Sequence, residues 1–390
     1  MLSIASGAVI AFLHHRYRVT GGEEYVAGLW RGLVADELGE ETSEIGRDSS
    51  AIGRPAAAKA LVRGGSNPDE VAAHVRSTGA RIVHAHNLLP TFGWRALAAA
   101  QEAGAATVLH LHNYRLVCAV GTCVEPSGSD CTRCSGRNTA PGLLHRCRGN
   151  VIEGAAYATG LARWQRRTLE CADQLIVPSQ AALSRLRELG AGLPEDRVTV
   201  IAHPLAAPDK LLDPAAGEYV LVTARLSREK GVDLAIEACR AAGLPLVICG
   251  DGPESGSLRA LAVDADVRFE APGAEAELRA RARVVMVPSR AAETFGMAAA
   301  TAMASGLPVV ATRAGALSEL GTGAVLAEPA PAALAAAVRA AWDDAAQLGS
   351  LAAASAADRC APARAASALA EVYARAQQHA RTRQGEGVSA

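Results

Sequence analysis

The chain has 390 residues and a formal net charge of −1, from 39 basic and 40 acidic side chains. That length holds two domains, and with half of the residues apolar each can bury a sizeable core. The balanced charge excludes a global nucleic-acid footprint, and no run is long and apolar enough to span a bilayer.

The first thirteen residues are mostly apolar. They lack a positive leader and end on His14-His15-Arg16 without a cleavage site, so Ile4–Leu13 reads as a buried parallel strand, not a signal peptide. A cytoplasmic protein is expected, and its nine cysteines are then thiols or metal ligands sooner than disulfides. A helix over Glu23–Glu37 follows, entered through Thr20-Gly21-Gly22. Apolar runs at Ala80–Ala85 and Ala106–Leu111 read as strands with a helical stretch between them, and Leu175–Val177 and Val198–Ile201 close this half. Residues 202–217, with Pro204, Pro208 and Pro214, read as a linker.

The second half repeats the scheme. Strands are expected at Tyr219–Thr223, Leu246–Cys249, Val267–Phe269, Val284–Val287 and Val309–Ala311, with helices between them and at Ala332–Asp344 and Pro362–Arg381. The polar tail after Thr382 is expected to be disordered. The fold class is therefore α/β, with two doubly wound parallel-sheet domains.

Two stretches carry chemistry. Arg225-Leu-Ser-Arg-Glu-Lys230-Gly231 places two cations in a strand-to-helix loop, where both can reach one phosphate. Glu293-Thr294-Phe295-Gly296-Met297 is a carboxylate followed by a turn that opens a helix. Cations and helix N-termini bind phosphates, and a carboxylate beside them can hold sugar hydroxyls, so together they point to a sugar joined to a diphosphate.

With these two motifs the chain resembles the family 4 glycosyltransferases, retaining enzymes with two Rossmann-like domains facing a cleft, the GT-B fold. The resemblance runs from His15 to about Leu369. It implies a first, acceptor-side domain over residues 1–205, completed by a returning helix at about 362–381, and a nucleotide-sugar domain over 215–361. Arg225 and Lys230 would neutralise the departing diphosphate, and Glu293 would hold the donor-sugar hydroxyls. The backbone of Thr294, Phe295, Gly296 and Met297 would face the phosphates. The family's second glutamate, eight positions after the first, grips the ribose; here that position is Thr301, which offers one good hydrogen bond and no bidentate clamp. Gly250-Asp-Gly252-Pro matches a loop near the nucleotide, with Gly252 more structural than contacting. His14-His-Arg-Tyr-Arg18 followed by Gly21-Gly22-Glu23-Glu24 resembles a bacterial subgroup that also carries a cysteine-bearing His-Asn-Tyr-Arg-Leu-x-Cys loop; the double glycine lets backbone approach a donor phosphate or the acceptor, or is a plain turn.

Histidines end two strands of the first half, as His84 with His86 and His110 with His112. The resemblance favours His112 as the active-site histidine facing the donor sugar, with His86 a weaker candidate; His84 and His110 read as satisfied core residues. A zinc site built from all four has no motif behind it. Cys118, Cys131, Cys134 and Cys147 stand in a stretch of little periodicity, with spacing that suits a structural zinc; free thiols or a disulfide are the other readings. Asp264-Ala-Asp266 lies before a strand, where a catalytic metal motif should follow one, so no catalytic cofactor is expected. Seven arginines lie between Arg133 and Arg167 against the single acid Glu153, which reads as a solvated basic face or as a peripheral contact with a membrane or an anionic acceptor.

The expected activity is transfer of a hexosyl group from a UDP- or GDP-sugar, with retention, to a small-molecule or lipid-linked glycan acceptor in surface-glycan or secondary-metabolite biosynthesis, such as that of an aminoglycoside. The alternatives are a nucleotide-sugar 2-epimerase of the same fold and a non-catalytic sugar-nucleotide-binding protein.

Overall fold

The computed structural model describes residues 9–17, 21–125 and 128–388, with side chains to 385. The chain divides into two compact units: residues up to Cys123, 131–204 and from Pro362 onward form the first, and residues 124–130 and 205–361 the second.

The first unit is built on a six-stranded sheet of β1 (Ile10–Arg16), β2 (Thr42–Asp48), β3 (Ile82–Asn87), β4 (Ala106–His110), β5 (Gln174–Val177) and β6 (Val198–Val200), in the order β2-β1-β3-β4-β5-β6. Every pairing is parallel. All of β3, β4 and β5 is buried, as expected of parallel strands covered on both faces. The helix Pro362–Val388 packs on β4 and β5. Near its end His379 and Arg383 both reach the buried carboxylate of Asp173, His379 at 2.8 Å, while the same carboxylate accepts from the Thr107 N–H at 2.8 Å and its hydroxyl at 3.0 Å.

The second unit carries β7 (Tyr219–Thr223), β8 (Leu246–Cys249), β9 (Val267–Glu270), β10 (Ala282–Val287), β11 (Val309–Thr312) and β12 (Ala324–Ala327), in the order β12-β11-β10-β7-β8-β9, again all parallel. Alternate residues of β7 feed two cores: Val220 and Val222 pack into one cluster, Tyr219 and Leu221 into the other.

Several elements depart from the sequence reading, which also lacks the helices Arg54–Arg63, Pro68–Thr78, Val151–Glu170 and Gln180–Glu188. β2 went unread because Thr-Ser-Glu-Ile-Gly-Arg-Asp is a half-exposed edge strand; its Glu44 binds Arg16 at 2.8 Å and Arg31 at 2.6 Å, the polar dressing of a sheet edge. β12, four short half-buried residues, is the edge of the other sheet. A separate helix spans Ala345–Arg359. The tail after Thr382 is not disordered up to Val388: the last helix continues through it, held by the Arg383–Asp173 pair. Residues 4–8 of the expected first strand, Arg18 and Thr20 lie outside the described residues.

Candidate functional site

In an open α/β sheet, ligands bind outside the carboxyl ends of the strands where the strand order reverses. In the second unit the reversal falls between β7 and β10, and the two motif loops leave these two strands. Gly231 has φ 62°, and a Cβ there would lie 2.1 Å from the Pro288 carbonyl oxygen, so the loops touch at a point only glycine permits. Arg290 ties them further, donating to both Asp233 carboxylate oxygens at 2.6 Å and, through its N–H, to the Glu229 carbonyl at 2.8 Å.

At this junction Lys230 Nζ donates to Glu293 Oε1 at 2.7 Å, and Ser289 Oγ donates to the same oxygen at 2.6 Å. Burial alone would push the Glu293 carboxyl up, but the Lys230 ammonium and these hydrogen bonds outweigh it and hold the group below its usual range. Burial would likewise lower Lys230, and the Glu293 charge reverses the shift, although the neighbouring Arg225 opposes it. Both side chains are thus held ionised. Arg225 itself is exposed.

Glu293 is fixed by backbone as well. Its N–H donates to the Ala314 carbonyl and its carbonyl accepts from Ala316. Gly296, with φ 84°, then turns the chain into the helix Met297–Ala304. Phe295 is buried, with the Arg359 guanidinium 4.6 Å over its ring. Thr301 sits half-buried in the second turn of that helix. Gly252 packs against Leu226, whose carbonyl oxygen would lie 2.3 Å from a Cβ. Asp264 and Asp266 lie between the helix Ser255–Leu261 and β9, on the side of the sheet where β9 begins.

In the first unit the order reverses between β1 and β3. Gly21 and Gly22 follow β1 and open the helix Gly22–Asp36. Gly21 has an ordinary extended φ of −143°, and a Cβ on Gly22 would meet nothing within 4 Å. The two carboxylates after them are structural: Glu24 accepts from the N–H of Gly21 at 2.8 Å and of Tyr17 at 2.9 Å, and Glu23 accepts from Tyr17 Oη and Asn113 Nδ2, each at 2.8 Å. Arg115 stacks over the Tyr17 ring at 4.6 Å.

The histidines form one buried cluster. His84 and His86 share a face of β3 with ring centroids 4.5 Å apart, and His110 and His112 at the end of β4 are 4.2 Å apart. His86 Nδ1 and His112 Nε2 share a hydrogen bond of 2.8 Å. His84 Nδ1 meets Tyr373 Oη at 2.9 Å. The expectation of satisfied core histidines is wrong for His110: neither ring nitrogen has a protein partner, and Nε2 of both His84 and His86 also lacks one. Burial, and next the charge of neighbouring histidines, holds His86, His110 and His112 well below the usual imidazole range. His203 joins the cluster 5.4 Å from His110, accepting from Trp30 Nε1 at 3.1 Å. It sits in the aperiodic linker, so no sequence pattern marked it. A largely apolar pocket opens beside the cluster, lined by His86, His110, His112, Trp94, Leu161 and Trp164 among others.

Cys118, Cys131, Cys134 and Cys147 are neighbours. Burial, then the charge on Cys118, raises Cys134 to about 11, and a hydrogen bond with Cys123 draws Cys118 down to about 5. Among the described residues, however, the metal-capable groups converging within 4.8 Å are histidines, not these cysteines. The arginine-rich stretch is partly committed: Arg148 pairs with Glu153 and stacks on Tyr157 at 3.6 Å, and Arg166 and Arg167 both pair with Glu170.

Comparison with known proteins agrees with this architecture. Residues 20–204 match the model of a glycosyl transferase 4-like domain, and residues 217–344 that of the group 1 glycosyl transferases. A GDP-mannose-dependent alpha-mannosyltransferase of Corynebacterium glutamicum is 28% identical over 173 residues, a stretch covering 41% of each chain. Among solved structures, HepE of Anabaena in complex with UDP and glucose superposes with a TM-score of 0.62 at 19% identity, over 93% of this chain and 98% of that one. Sucrose-phosphate synthase of Thermosynechococcus elongatus gives 0.67 at 17% identity, over 94% and 98%. The two-sheet architecture is therefore that of the GT-B glycosyltransferases.

Proposed function

We propose that this family 4-like glycosyltransferase moves a hexosyl group from a nucleoside-diphosphate sugar to a hydroxyl acceptor with retention at the anomeric carbon. The observation that carries the reading is the Lys230–Glu293 pair, held ionised where two loops meet at the switch point of the second sheet. An anion approaching this point finds Lys230, the exposed Arg225 beside it and the N-terminus of the helix Met297–Ala304. These groups suit the charge that builds on a departing diphosphate. Glu293 keeps a carboxylate oxygen for sugar hydroxyls, since both of its recorded side-chain hydrogen bonds fall on Oε1.

Thr301 would meet the ribose with one hydrogen bond. His112 would face the donor sugar. The space around Gly22 supports close backbone approach by a phosphate or the acceptor. The donor is a UDP- or GDP-sugar, a choice supported by the UDP complex of HepE and the GDP-mannose dependence of the corynebacterial relative. The acceptor is a glycan or small metabolite taken up by the first unit, and the arginines between Arg133 and Arg167 that remain exposed are its anionic or membrane-surface contact. A structural zinc on Cys118, Cys131, Cys134 and Cys147 belongs to the same reading; the four thiols are near enough to feel one another's charge, and the loop would have to draw them together to close the site.

The test is incubation of the purified chain with a panel of UDP- and GDP-sugars while following nucleoside-diphosphate release. Slow donor hydrolysis that Arg225→Ala and Lys230→Ala abolish supports the assignment; no release from any donor, with binding intact, would favour a non-catalytic sugar-nucleotide-binding protein.

A further inference from the structure

Three neighbouring imidazoles of the first unit carry ring nitrogens without a protein partner. His84, His86 and His110 are fully enclosed, and one ring nitrogen from each lies within 4.8 Å of the other two. Two of the three have their other nitrogen occupied: His84 Nδ1 by Tyr373 Oη at 2.9 Å, and His86 Nδ1 by His112 Nε2 at 2.8 Å. That leaves Nε2 of each without a protein partner, and His110 without one on either nitrogen. Buried polar atoms are otherwise almost always paired, so unpaired atoms gathered in one place call for an explanation. A ligating histidine, moreover, characteristically uses its second nitrogen in an orienting hydrogen bond, the arrangement seen here at His84 and His86.

We propose that His84, His86 and His110 form a binding site for a divalent transition-metal ion, of the zinc or cobalt class, that neither the glycosyl-transfer reading nor the cysteine loop requires. Three neutral imidazoles are the donor set such ions take, and they leave a fourth position open. Ligands about 2.0–2.1 Å from one tetrahedral ion stand roughly 3.3 Å from each other, so the nitrogens must draw together by about 1.5 Å at most, and the nearly parallel rings of His84 and His110 must turn to aim at one ion. The adjoining pocket, which His86 and His110 line, is the way in. No carboxylate belongs to this group of ligands, so the bound ion keeps its full charge, and the open position would take water or an anion.

The cysteines would also bind such an ion, so the test begins from a full-length chain carrying Cys131→Ser and Cys134→Ser, purified without a polyhistidine tag. It is stripped of metal and titrated with Co²⁺. The expected result is one Co²⁺ per chain, with visible d–d absorption of a nitrogen- and oxygen-ligated ion, no near-ultraviolet sulfur-to-cobalt band, and a higher melting temperature. His84→Phe and His110→Phe keep an aromatic ring of similar shape and should weaken binding at least 100-fold. Absence of stoichiometric Co²⁺ in the starting chain, a spectrum dominated by sulfur, or binding unchanged in both folded histidine variants would each overturn the site. If the phenylalanine variants fail to fold, the absorption spectrum and stoichiometry of the starting chain decide alone. Donor turnover plays no part in the readout, so the outcome is independent of the glycosyltransferase assignment.

Discussion

Lys230 and Glu293 lie 63 positions apart in the sequence, yet their charged atoms stand 2.7 Å apart, and each keeps the other ionised against the pull of burial. The pair pins the loop after β7 to the loop after β10, and in the proposed reaction it also presents a cation to the departing diphosphate.

Arg225→Ala and Lys230→Ala are expected to cut turnover severely. Losing one preorganised group that stabilises developing charge costs about 2.7–4 kcal/mol, a factor of roughly 10²–10³ in kcat. Steady-state rates with the best donor check this, and near-wild-type turnover in both variants would remove the donor site from this place.

Glu293→Gln should separate the two roles of the pair. It leaves the half-buried Lys230 without its counter-charge, a loss of about 1–3 kcal/mol in stability. A chemical-denaturation midpoint reads that loss. Lys230→Met combined with Glu293→Gln should recover part of it, because no lone charge then remains, while turnover stays as low as in the single variants.

Thr301→Glu restores the family's missing carboxylate on a half-buried turn of the helix Met297–Ala304. Hydrogen bonds to a charged group contribute roughly 1.5–3 kcal/mol, less what threonine already supplies, so donor affinity should rise several-fold. Ala299, Ala300 and Ala302 are buried beside it, and overpacking is the competing effect. Donor Kd and Tm measured together separate the two. A stable variant with unchanged or weaker donor binding would place the ribose elsewhere.

The first unit should lose stability in mild acid. His15 is buried, bonded to Thr91 and Ser49, and burial followed by the nearby Arg47 charge holds it down to about 4. Above the ordinary pKa of about 6.5 the folded and unfolded chains are both neutral here, and the stabilisation is complete. As the pH falls from there to about 4, the unfolded chain takes a proton the folded one refuses, and stability declines by at most about 1.4 kcal/mol per pH unit for one such group. Melting curves between pH 7.5 and 5 should show the fall, with a shallower slope in His15→Asn. An equal slope in both would mean that His15 does not contribute.

Much of this was legible in the residues. Strands buried on both faces announce themselves as apolar runs, which is why β1, β3, β4, β7, β8 and β10 could be placed, and the two motif loops lie, as read, after β7 and β10. The edge strands β2 and β12 carry no such run, because half of each faces water. The tail after Thr382 looked too polar to order; its ordering depends on Asp173, a partner more than two hundred positions away. His203 escaped for the same reason, since only folding brings the linker to Trp30 and His110. The pairs at His84 with His86 and His110 with His112 could be seen, but which of their nitrogens lack partners is a property of three dimensions.

The return of the last helix to the first sheet also sets an order of events during synthesis. Tyr373, His379 and Arg383 supply the partners of His84 and Asp173, and these residues follow the whole of the second unit in the chain. The second unit is contiguous from Leu205 to Ala361 apart from one short segment, so nearly all of it is available before the first unit can close its core. The part of the protein made first is thus finished last. A stop codon placed before Pro362 should release a chain whose second unit is protease-resistant while its first remains open to cleavage.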